Sequence, residues 1–335
     1  MTPIQEVAKL ANVSVATVSR VLNNNSYVKE STREQVMKAI KALNYSPNMS
    51  GRFLRRNETK VILVLLPTIS NPFYSKAVAG ISHIADKLGY LIMICNTESS
   101  LNKEMEYLDL LRYKQADGAI IMSQAMNVEQ LEEIGANFPI VQCFEYYQSD
   151  SLSFVSVDNE KAAYEAVNYL IGIGHKRIAL VGCHPQYTSA AQREDGYKRA
   201  LRDANIEPDP SLIIRGNYGF KSGYDCAVKL MEAGDLPTAI FAISDMQAIG
   251  VIKALSGKGI KVPGDVSVMG FDNIAFSGIY DPGITTVSQP THKIGSKAMD
   301  ILIRQIKGEL PNPQHLFLKH GLVVRESTRE YSSES

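Results

Sequence analysis

The chain has 335 residues, of which 45% are hydrophobic, so it exceeds the usual size of one domain and can bury a large core. The most prominent apolar run, residues 61–66, is far too short to span a bilayer, and no charged-then-apolar leader opens the chain. We therefore expect a cytoplasmic protein without a membrane segment. The cysteines show no paired spacing of the metal or redox type, which predicts buried free thiols and no metal or cofactor: Cys95, Cys143, Cys183 and Cys226.

The neutral total of 35 basic and 35 acidic side chains hides an uneven distribution of charge. Residues 1–60 contain ten lysines and arginines against four acidic residues, a balance of +6, which leaves 25 basic and 31 acidic residues, or −6, in the remainder. A basic head on an acidic body is expected when one end of a chain meets phosphate.

Two short amphipathic helices are predicted within the first 22 residues. Residues 2–5 (TPIQ) have the form of a capping box with proline at the first helical position, and Ser14 is a typical N-cap for the second helix. Both helices carry apolar residues at helical spacing: Ile4, Val7, Ala8 and Ala11, then Val15, Val18, Val21 and Leu22. The short link favours a helix-turn-helix whose second helix reads DNA. A helix pair that only packs a core is the alternative.

A third helix and a basic linker follow. Residues 31–34 (STRE) form another capping box, and the helix it opens has Val36, Ile40 and Leu43 to close a three-helix core. Residues 44–47 (NYSP) break that helix. The arginine-rich stretch that comes next is either a simple linker or a minor-groove wedge, because it combines cations with an apolar Leu54.

Residues 4–14 (IQEVAKLANVS) and 16–23 (ATVSRVLN) resemble the headpiece of lactose-repressor-type (LacI/GalR) transcriptional regulators. The resemblance implies a DNA-binding headpiece over residues 1–46 and a hinge helix over 47–59 that orders on operator DNA and inserts Leu54. Residues 60–335 would bind an effector and dimerise. It further implies a homodimer on a pseudo-palindromic operator, with a phosphocarrier protein as a candidate corepressor, as in some relatives.

The first turn of the second helix should face base edges. We expect Val15, Ala16 and Arg20 to read bases, because a guanidinium can grip guanine through two acceptors while the small apolar residues can contact a thymine methyl. The other predicted DNA contacts lie nearer the backbone: Thr17, Ser19, Asn23, Tyr45, Ser46, Arg52 and Arg55.

From residue 61 onward, short apolar runs alternate with helical stretches. The strand-like runs cover residues 61–66, 91–95, 118–122, 140–141, 178–182, 239–243 and 266–271, and the clearest helices cover 75–88, 159–174 and 222–234. This alternation predicts parallel sheets covered on both faces. The pattern runs twice, so we expect two doubly wound lobes of the periplasmic-binding-protein type. The first lobe would take residues 60–158 and 289–320, and the second 159–288 and 321–330.

Ligands of open α/β sheets sit beyond the carboxyl ends of the strands, so residues directly after each run are candidate contacts. They form a set that suits a sugar or a nucleoside: Asn71, Phe73, Tyr74, Ser123, Arg193, Tyr218, Asp245 and Asp272. Each also has a structural alternative, since the aspartates could cap helices, the aromatic rings could pack and Arg193 could pair with a surface carboxylate. The family resemblance favours Phe73, Arg193 and Asp272 as effector contacts.

One motif departs from the sugar-responsive relatives, which have an Asn-Asp pair where this chain has Ser244 and Asp245. The unusual residues 142–146 (QCFEY) add Glu145 as a candidate and leave a nucleoside effector open. Whether the effector weakens or strengthens DNA binding also stays open.

The sequence thus predicts an effector-controlled, sequence-specific DNA-binding regulator, a repressor. A transport-type solute-binding protein would need an export signal and has no use for residues 1–60, while an enzyme is unsupported by any nucleophile–base set or phosphate loop. Two headpieces are needed to read a palindrome, and no apolar heptads end the chain, so we expect a dimer. Candidate interface segments are residues 75–88, 245–255 and 276–282.

Overall fold

The computed structural model describes residues 4–22, 27–45, 58–123, 125–310 and 312–332. The chain forms two compact units, Met1–Glu58 and Thr59–Ser335, called here the headpiece and the body. The predicted hinge helix falls almost entirely outside the described residues, together with five predicted DNA contacts: Asn23, Ser46, Arg52, Leu54 and Arg55.

The headpiece consists of three helices, α1 (Ile4–Leu10), α2 (Val15–Leu22) and α3 (Glu30–Ala42). Its core is formed by one apolar stripe from each helix, with Val7, Val18 and Val36 fully buried at its centre. Ser14 caps α2, since the backbone N–H of Thr17 donates to its Oγ over 3.1 Å. Both the N-cap and the apolar faces agree with the sequence prediction.

The predicted start of α3 is wrong. The helix begins at Glu30, with Lys29 at the N-cap and no side-chain cap, so the proposed capping box at Ser31 lies inside the first turn. The carbonyl of Lys29 accepts from the N–H groups of Thr32 and Arg33, and Arg33 lies 3.6 Å from the carboxylate of Glu30. An acidic residue in the first turn stabilises the helix through its dipole, which replaces the missing side-chain cap.

The body contains two six-stranded sheets. The first has the order β11-β5-β4-β3-β1-β2 and the second the order β12-β10-β9-β8-β6-β7. The strands of the first sheet are β1 (Val61–Leu66), β2 (Leu91–Asn96), β3 (Gly118–Ile121), β4 (Ile140–Cys143), β5 (Ser153–Ser156) and β11 (His315–Phe317). Those of the second are β6 (Ile178–Cys183), β7 (Ile213–Gly216), β8 (Ala239–Ala242), β9 (Ser267–Asp272), β10 (Thr285–Ser288) and β12 (Gly321–Val323).

Helices cover both sheets. They are α4 (Phe73–Leu88), α5 (Leu101–Arg112), α6 (Val128–Gly135), α7 (Asn159–Gly172), α8 (Thr188–Asp203), α9 (Phe220–Glu232), α10 (Asp245–Gly257), α11 (Ala275–Ile279) and α12 (Thr291–Ile306). The long strands of the sequence prediction recur within one or two residues of their predicted ends. The predicted fold class, a helical headpiece joined to two parallel-sheet lobes, is confirmed, with one exception: β12 pairs antiparallel with β10.

The chain passes between the two sheets three times. The first passage follows β5, which ends at Ser156, the second follows β10, which ends at Ser288, and the third lies between β11 and β12. Helix α12 therefore returns to the first lobe, where Gly295 lies against the backbone of Ala77 on α4. Each lobe is therefore built from two separate stretches of the chain.

The interior of the body is apolar, as parallel strands covered on both faces require. Strand β1 is buried along almost its whole length, and β6 and β9 are buried throughout. All four cysteines are buried free thiols, as predicted. Among the helices of the described residues, none combines the length and the apolar character that crossing a membrane demands.

Candidate functional site: an exposed helix face and an interlobe cavity

Helix α2 presents a small exposed surface on the headpiece. Val15 is 40% exposed, and Ala16 and Arg20 are also exposed, while Val18 and Val21 turn into the core. Thr17 and Ser19 are half-buried at the border of that surface. The three residues predicted to read bases thus share the solvent-facing side of the helix. Tyr45, predicted to contact the DNA backbone, is half-buried and packs its ring against the headpiece core.

A cavity of about 650 Å³ lies at the carboxyl ends of strands from both sheets of the body. Its first-lobe wall is formed by residues that follow β1, β2, β3 and β4: Pro67, Thr68, Ser70, Asn71, Tyr74, Glu98, Ser99, Met122, Ser123 and Glu145. Its second-lobe wall is formed by residues that follow β6, β7 and β8: Tyr187, Asn217, Tyr218, Gly219, Phe220 and Met246. A ligand held here would contact both lobes, which is the placement expected for doubly wound sheets.

Four of the eight predicted effector contacts line this cavity: Asn71, Tyr74, Ser123 and Tyr218. Asn71 also shapes the wall, because its Oδ1 accepts from the N–H of Phe73 over 3.0 Å at the start of α4. The remaining four are not among the lining residues: Phe73, Arg193, Asp245 and Asp272.

Phe73 and Arg193 lie outside the cavity lining and contact residues that form it. The ring of Phe73 packs edge-on against Phe144 and Tyr74, with centroid distances of 4.7 and 5.1 Å. Arg193 is buried, with its guanidinium 3.7 Å from the centroid of Phe271 and 6.0 Å from that of Tyr218. A position after a strand does not fix where a side chain points, and these two pack against the core.

Asp245 and Asp272 are buried carboxyls with protein partners. Asp245 accepts from Thr286 Oγ1 over 2.6 Å and from the N–H of Ile274 over 2.8 Å. Asp272 accepts from Gln289 Nε2 over 2.8 Å. Burial raises the pKa of both carboxyls above the usual range for aspartate. The sequence analysis considered helix capping as the alternative role of these aspartates, and the bond from Ile274, the residue before α11, fits that role only for Asp245.

The wall carries a connected polar cluster around Glu145. Its carboxylate accepts from both the backbone N–H and the Oγ of Ser189, and Ser189 Oγ lies 2.6 Å from the hydroxyl of Tyr218. Burial raises the pKa of Glu145, while the bonds from Ser189 and the charge of Arg193 act in the opposite direction. Since Ser189 lies in the first turn of α8, a carboxylate of the first lobe caps a helix of the second.

Ser123 differs from the other polar wall residues. Its side chain is 5% exposed, and within the described part of the chain its Oγ has no hydrogen-bond partner. A buried hydroxyl without a partner is costly unless something else supplies one. Its place on the wall leaves this hydroxyl available to a polar group of a molecule bound in the cavity.

Sequence reasoning missed several wall residues. Tyr187 and Asn217 follow strands β6 and β7, so the rule that selected Tyr218 would also have found them. Met122, Met246 and Phe220 carry no polar signal and were not separable from core residues. Within the described ranges, no cluster of three histidine, cysteine or acidic side chains could hold a metal ion.

Comparison with known proteins identifies both units. Residues 3–48 match the family model "Bacterial regulatory proteins, lacI family", and residues 167–328 match "Periplasmic binding protein-like domain". The chain is 38% identical over 328 residues to Catabolite control protein A of Priestia megaterium, covering 97% of this chain and 99% of that protein. It is 37% identical over 327 residues to the HTH-type transcriptional repressor CytR of Escherichia coli strain K12, covering 97% and 96%.

A solved structure agrees with the sequence relatives. The lac repressor dimer bound to operator and the anti-inducer ONPF superposes with a TM-score of 0.86 at 28% identity, covering 98% of this chain and 99% of that one. The regulator prediction is thereby favoured over a transport-type binding protein, because the match includes the headpiece. The chain belongs to the lacI family of bacterial regulatory proteins and is a DNA-binding transcriptional regulator with an effector-binding domain.

Proposed function

We propose that the protein is a dimeric repressor whose affinity for a pseudo-palindromic operator changes when a small, ring-containing effector binds in the interlobe cavity. The observation that carries this proposal is the position of the cavity. It has walls from both sheets, so an effector gains contacts by favouring one relative orientation of the lobes. A ligand shifts such an equilibrium only by its differential affinity for the two states.

The proposed effector contacts are the polar and aromatic wall residues, in particular Asn71, Tyr74, Ser123 and Tyr218. Phe73, Arg193, Asp245 and Asp272 act in this proposal as positioning residues, since their bonds and ring contacts hold the wall and the adjoining loops. The lac repressor structure contains a small molecule together with operator, which supports joint control by the two kinds of ligand.

The proposed base readers are Val15, Ala16 and Arg20. Their shared exposure on α2 supports this role, and Arg20 is the only long cation on that helix. The hinge residues Arg52, Leu54 and Arg55, with Asn23 and Ser46, remain proposed DNA contacts on the strength of the family resemblance. Because α2 offers so few polar groups, much of the affinity has to come from the hinge and from the pairing of two headpieces.

A dimer is supported by apolar side chains left exposed on the body. Edge strand β2 exposes Leu91, Met93 and Ile94 by 71%, 42% and 49%. An exposed apolar edge strand invites pairing with another chain unless it is covered. The candidate interface segments stay predictions: in segment 245–255, on α10, Lys253 is exposed, and in segment 276–282 Ile279 is 77% exposed.

The DNA-binding role is tested by selecting duplexes from a random library and comparing Arg20→Ala with Lys41→Ala. We expect an inverted repeat, and we expect Arg20→Ala to relax selection at one position per half-site at a cost of about 1–3 kcal/mol. Lys41 is exposed on α3 and serves as the control, with at most a uniform loss of affinity. Failure to select any duplex contradicts the regulator role, and an equal loss by Arg20→Ala on all sequences contradicts base reading.

A further inference from the structure

The charged side chains of the cavity wall are of one sign. Glu98 and Glu145 line it, and among its described lining residues there is no lysine, arginine or histidine. Glu98 is 61% exposed and is paired with Lys103 Nζ at 2.8 Å, so its charge is largely balanced at the rim. Glu145 is half-buried and its direct partners are neutral groups of Ser189. The charge of Arg193 lowers the pKa of Glu145, but its guanidinium is already bonded to Asn159 Oδ1 and to the carbonyl of Ile243.

Glu145 has unused capacity to accept hydrogen bonds. A carboxylate offers about four lone-pair sites, and each oxygen of Glu145 accepts one bond from Ser189. Burial raises the pKa of this carboxyl, which means that the ionised form lacks the solvation it would have in water. A donor group of a ligand would supply that missing stabilisation. A phosphate or a carbonyl oxygen at the same place would instead face a carboxylate.

The rest of the wall restricts the shape of the ligand. The half-buried rings of Tyr74, Tyr187 and Tyr218 line the cavity, and those of Tyr187 and Tyr218 meet edge-on with a centroid distance of 5.9 Å. Ser123 adds a second fixed polar point, because its Oγ is buried without a partner in the described residues. Ser123 follows β3, and Glu145 follows β4, which pairs with β3, so both polar groups lie beyond neighbouring strand ends.

We propose that the effector is an unphosphorylated ring compound whose amino group donates to Glu145 while the ring lies against the wall tyrosines. The inference rests on the proposed function and narrows its ligand class. Two chemical sources provide this group, a nucleobase with an exocyclic amine and an amino sugar. Ser123 Oγ would bond a second polar group of the same molecule, a hydroxyl or a ring nitrogen.

Matched pairs of compounds test the proposal by titration calorimetry on the full chain: cytidine with uridine, adenosine with inosine and glucosamine with glucose. For one pair we expect the amino-bearing member to bind about tenfold or more tightly, the size of a hydrogen bond to a charged group. Adding a 5′-phosphate to the preferred nucleoside, or a 6-phosphate to the preferred sugar, should weaken binding by at least a similar factor. The pair that responds identifies the source.

Variants of this chain give the second readout. Glu145→Gln should remove most of the preference within the responding pair, because the amide can also donate to a carbonyl oxygen. Glu106→Gln is the control and should keep the preference, since Glu106 is exposed on α5 and is not among the residues that line the cavity. Since Glu145 also caps α8, Ser123→Ala provides a variant that leaves that contact in place. We expect Ser123→Ala to weaken binding about fivefold.

Three results would overturn the proposal. The first is that the compound without the amino group, or the phosphorylated compound, binds at least as tightly as the amino-bearing one. The second is that Glu145→Gln discriminates within the pair as the wild type does. The third is that no amino-bearing compound binds. None of them affects the duplex selection, which tests the regulator role without an effector. If the protein selects an inverted repeat but binds only a phosphorylated compound, the proposed function is supported and the proposed ligand class is contradicted.

Discussion

Arg193 joins three elements of the second lobe through its buried guanidinium. It donates to Asn159 at the start of α7 over 3.0 Å and to the carbonyl of Ile243 after β8 over 2.6 Å, and it stacks on Phe271 of β9. A buried cation satisfied in this way is costly to replace, because its partners would lose bonds in a site that water does not reach. In this structure the guanidinium thus holds three elements that lie next to the cavity wall.

Asp272 is a buried carboxyl on a strained stretch of backbone. Its φ angle is 122°, and that of Asn273 is 57°, values that side-chain-bearing residues rarely adopt. The bond from the N–H of Ile274 to Asp245 and the bond from Gln289 to Asp272 hold this turn. Burial raises the pKa of Asp272, Arg193 lowers it, and the neighbouring carboxyl of Asp245 raises it.

We expect Asp272→Asn to change how stability depends on pH. Because the folded pKa is raised, the contribution of Asp272 to stability is fully present below the usual carboxyl pKa and is lost as the pH rises through the folded value. An amide at this position can still accept from Gln289 and does not ionise. Between pH 5 and pH 9 the Tm difference between variant and wild type should therefore shift by about 2 °C or more in favour of the variant. Asp150→Asn, at an exposed site, should give a flat difference, and a flat difference for Asp272→Asn would refute the assignment.

Helix pairs in the body meet closely where glycine replaces a side chain. A Cβ on Gly295 of α12 would strike the backbone of Ala77 on α4, and a Cβ on Gly250 of α10 would strike the backbone of Phe220 on α9. Backbone atoms cannot rotate away as a flexible side chain can, so the helices would have to separate. These contacts fix the spacing within the two helix pairs, α4 with α12 and α9 with α10.

Gly295→Ala should therefore destabilise the body. Overpacking of a tight core contact costs about 1–3 kcal/mol, and we expect a fall in Tm of several degrees in circular-dichroism melts. Gly172→Ala is the matched control, because the site is exposed at the end of α7 and has no atom within 4 Å of the added Cβ. It should leave the Tm unchanged or raise it slightly. Equal Tm values for the two variants would show that α4 and α12 can move apart without cost.

The sequence was most informative where burial determines residue type. The run at β1 (VILVLL) is apolar throughout because both faces of that strand are covered, and it was readily identified. Strand β5 was missed because two of its four residues are serines. Both are buried and bonded: Ser153 Oγ accepts from the N–H of Gln314, and Ser156 Oγ donates to the carbonyl of Phe144. Such partners are distant in sequence and leave no local pattern.

The sequence predicted which residues lie next to the candidate site but not the direction in which their side chains point. Placement after parallel strands brought Tyr74, Ser123 and Tyr218 to one cavity, as the topology requires. The same rule selected Arg193 and Asp272, whose side chains turn to buried partners instead of the cavity. Side-chain direction depends on packing against residues that are distant in sequence, such as Asn159 for Arg193 and Gln289 for Asp272, and a single sequence does not reveal these partners.

At the scale of the whole molecule, the headpiece alone presents too little recognition surface for tight binding. One helix with a single long cation can read part of a half-site, so two subunits have to act together. Linked binding of two half-sites gains a factor of about 10²–10⁴ over one without any new contact. Dimerisation through the body is therefore expected to be a requirement of function.

We expect Ile94→Lys to convert the proposed dimer to a monomer in sedimentation experiments at micromolar concentration, because it places a charge in the exposed apolar strip of β2. Operator affinity should then fall about 10²-fold or more, since the second half-site no longer binds in the same complex. Tyr113→Lys is the control, because Tyr113 is 68% exposed at the end of α5 and away from β2 in sequence. A wild-type monomer, or an Ile94→Lys dimer with full operator affinity, would show that this edge of the first sheet is not the subunit interface.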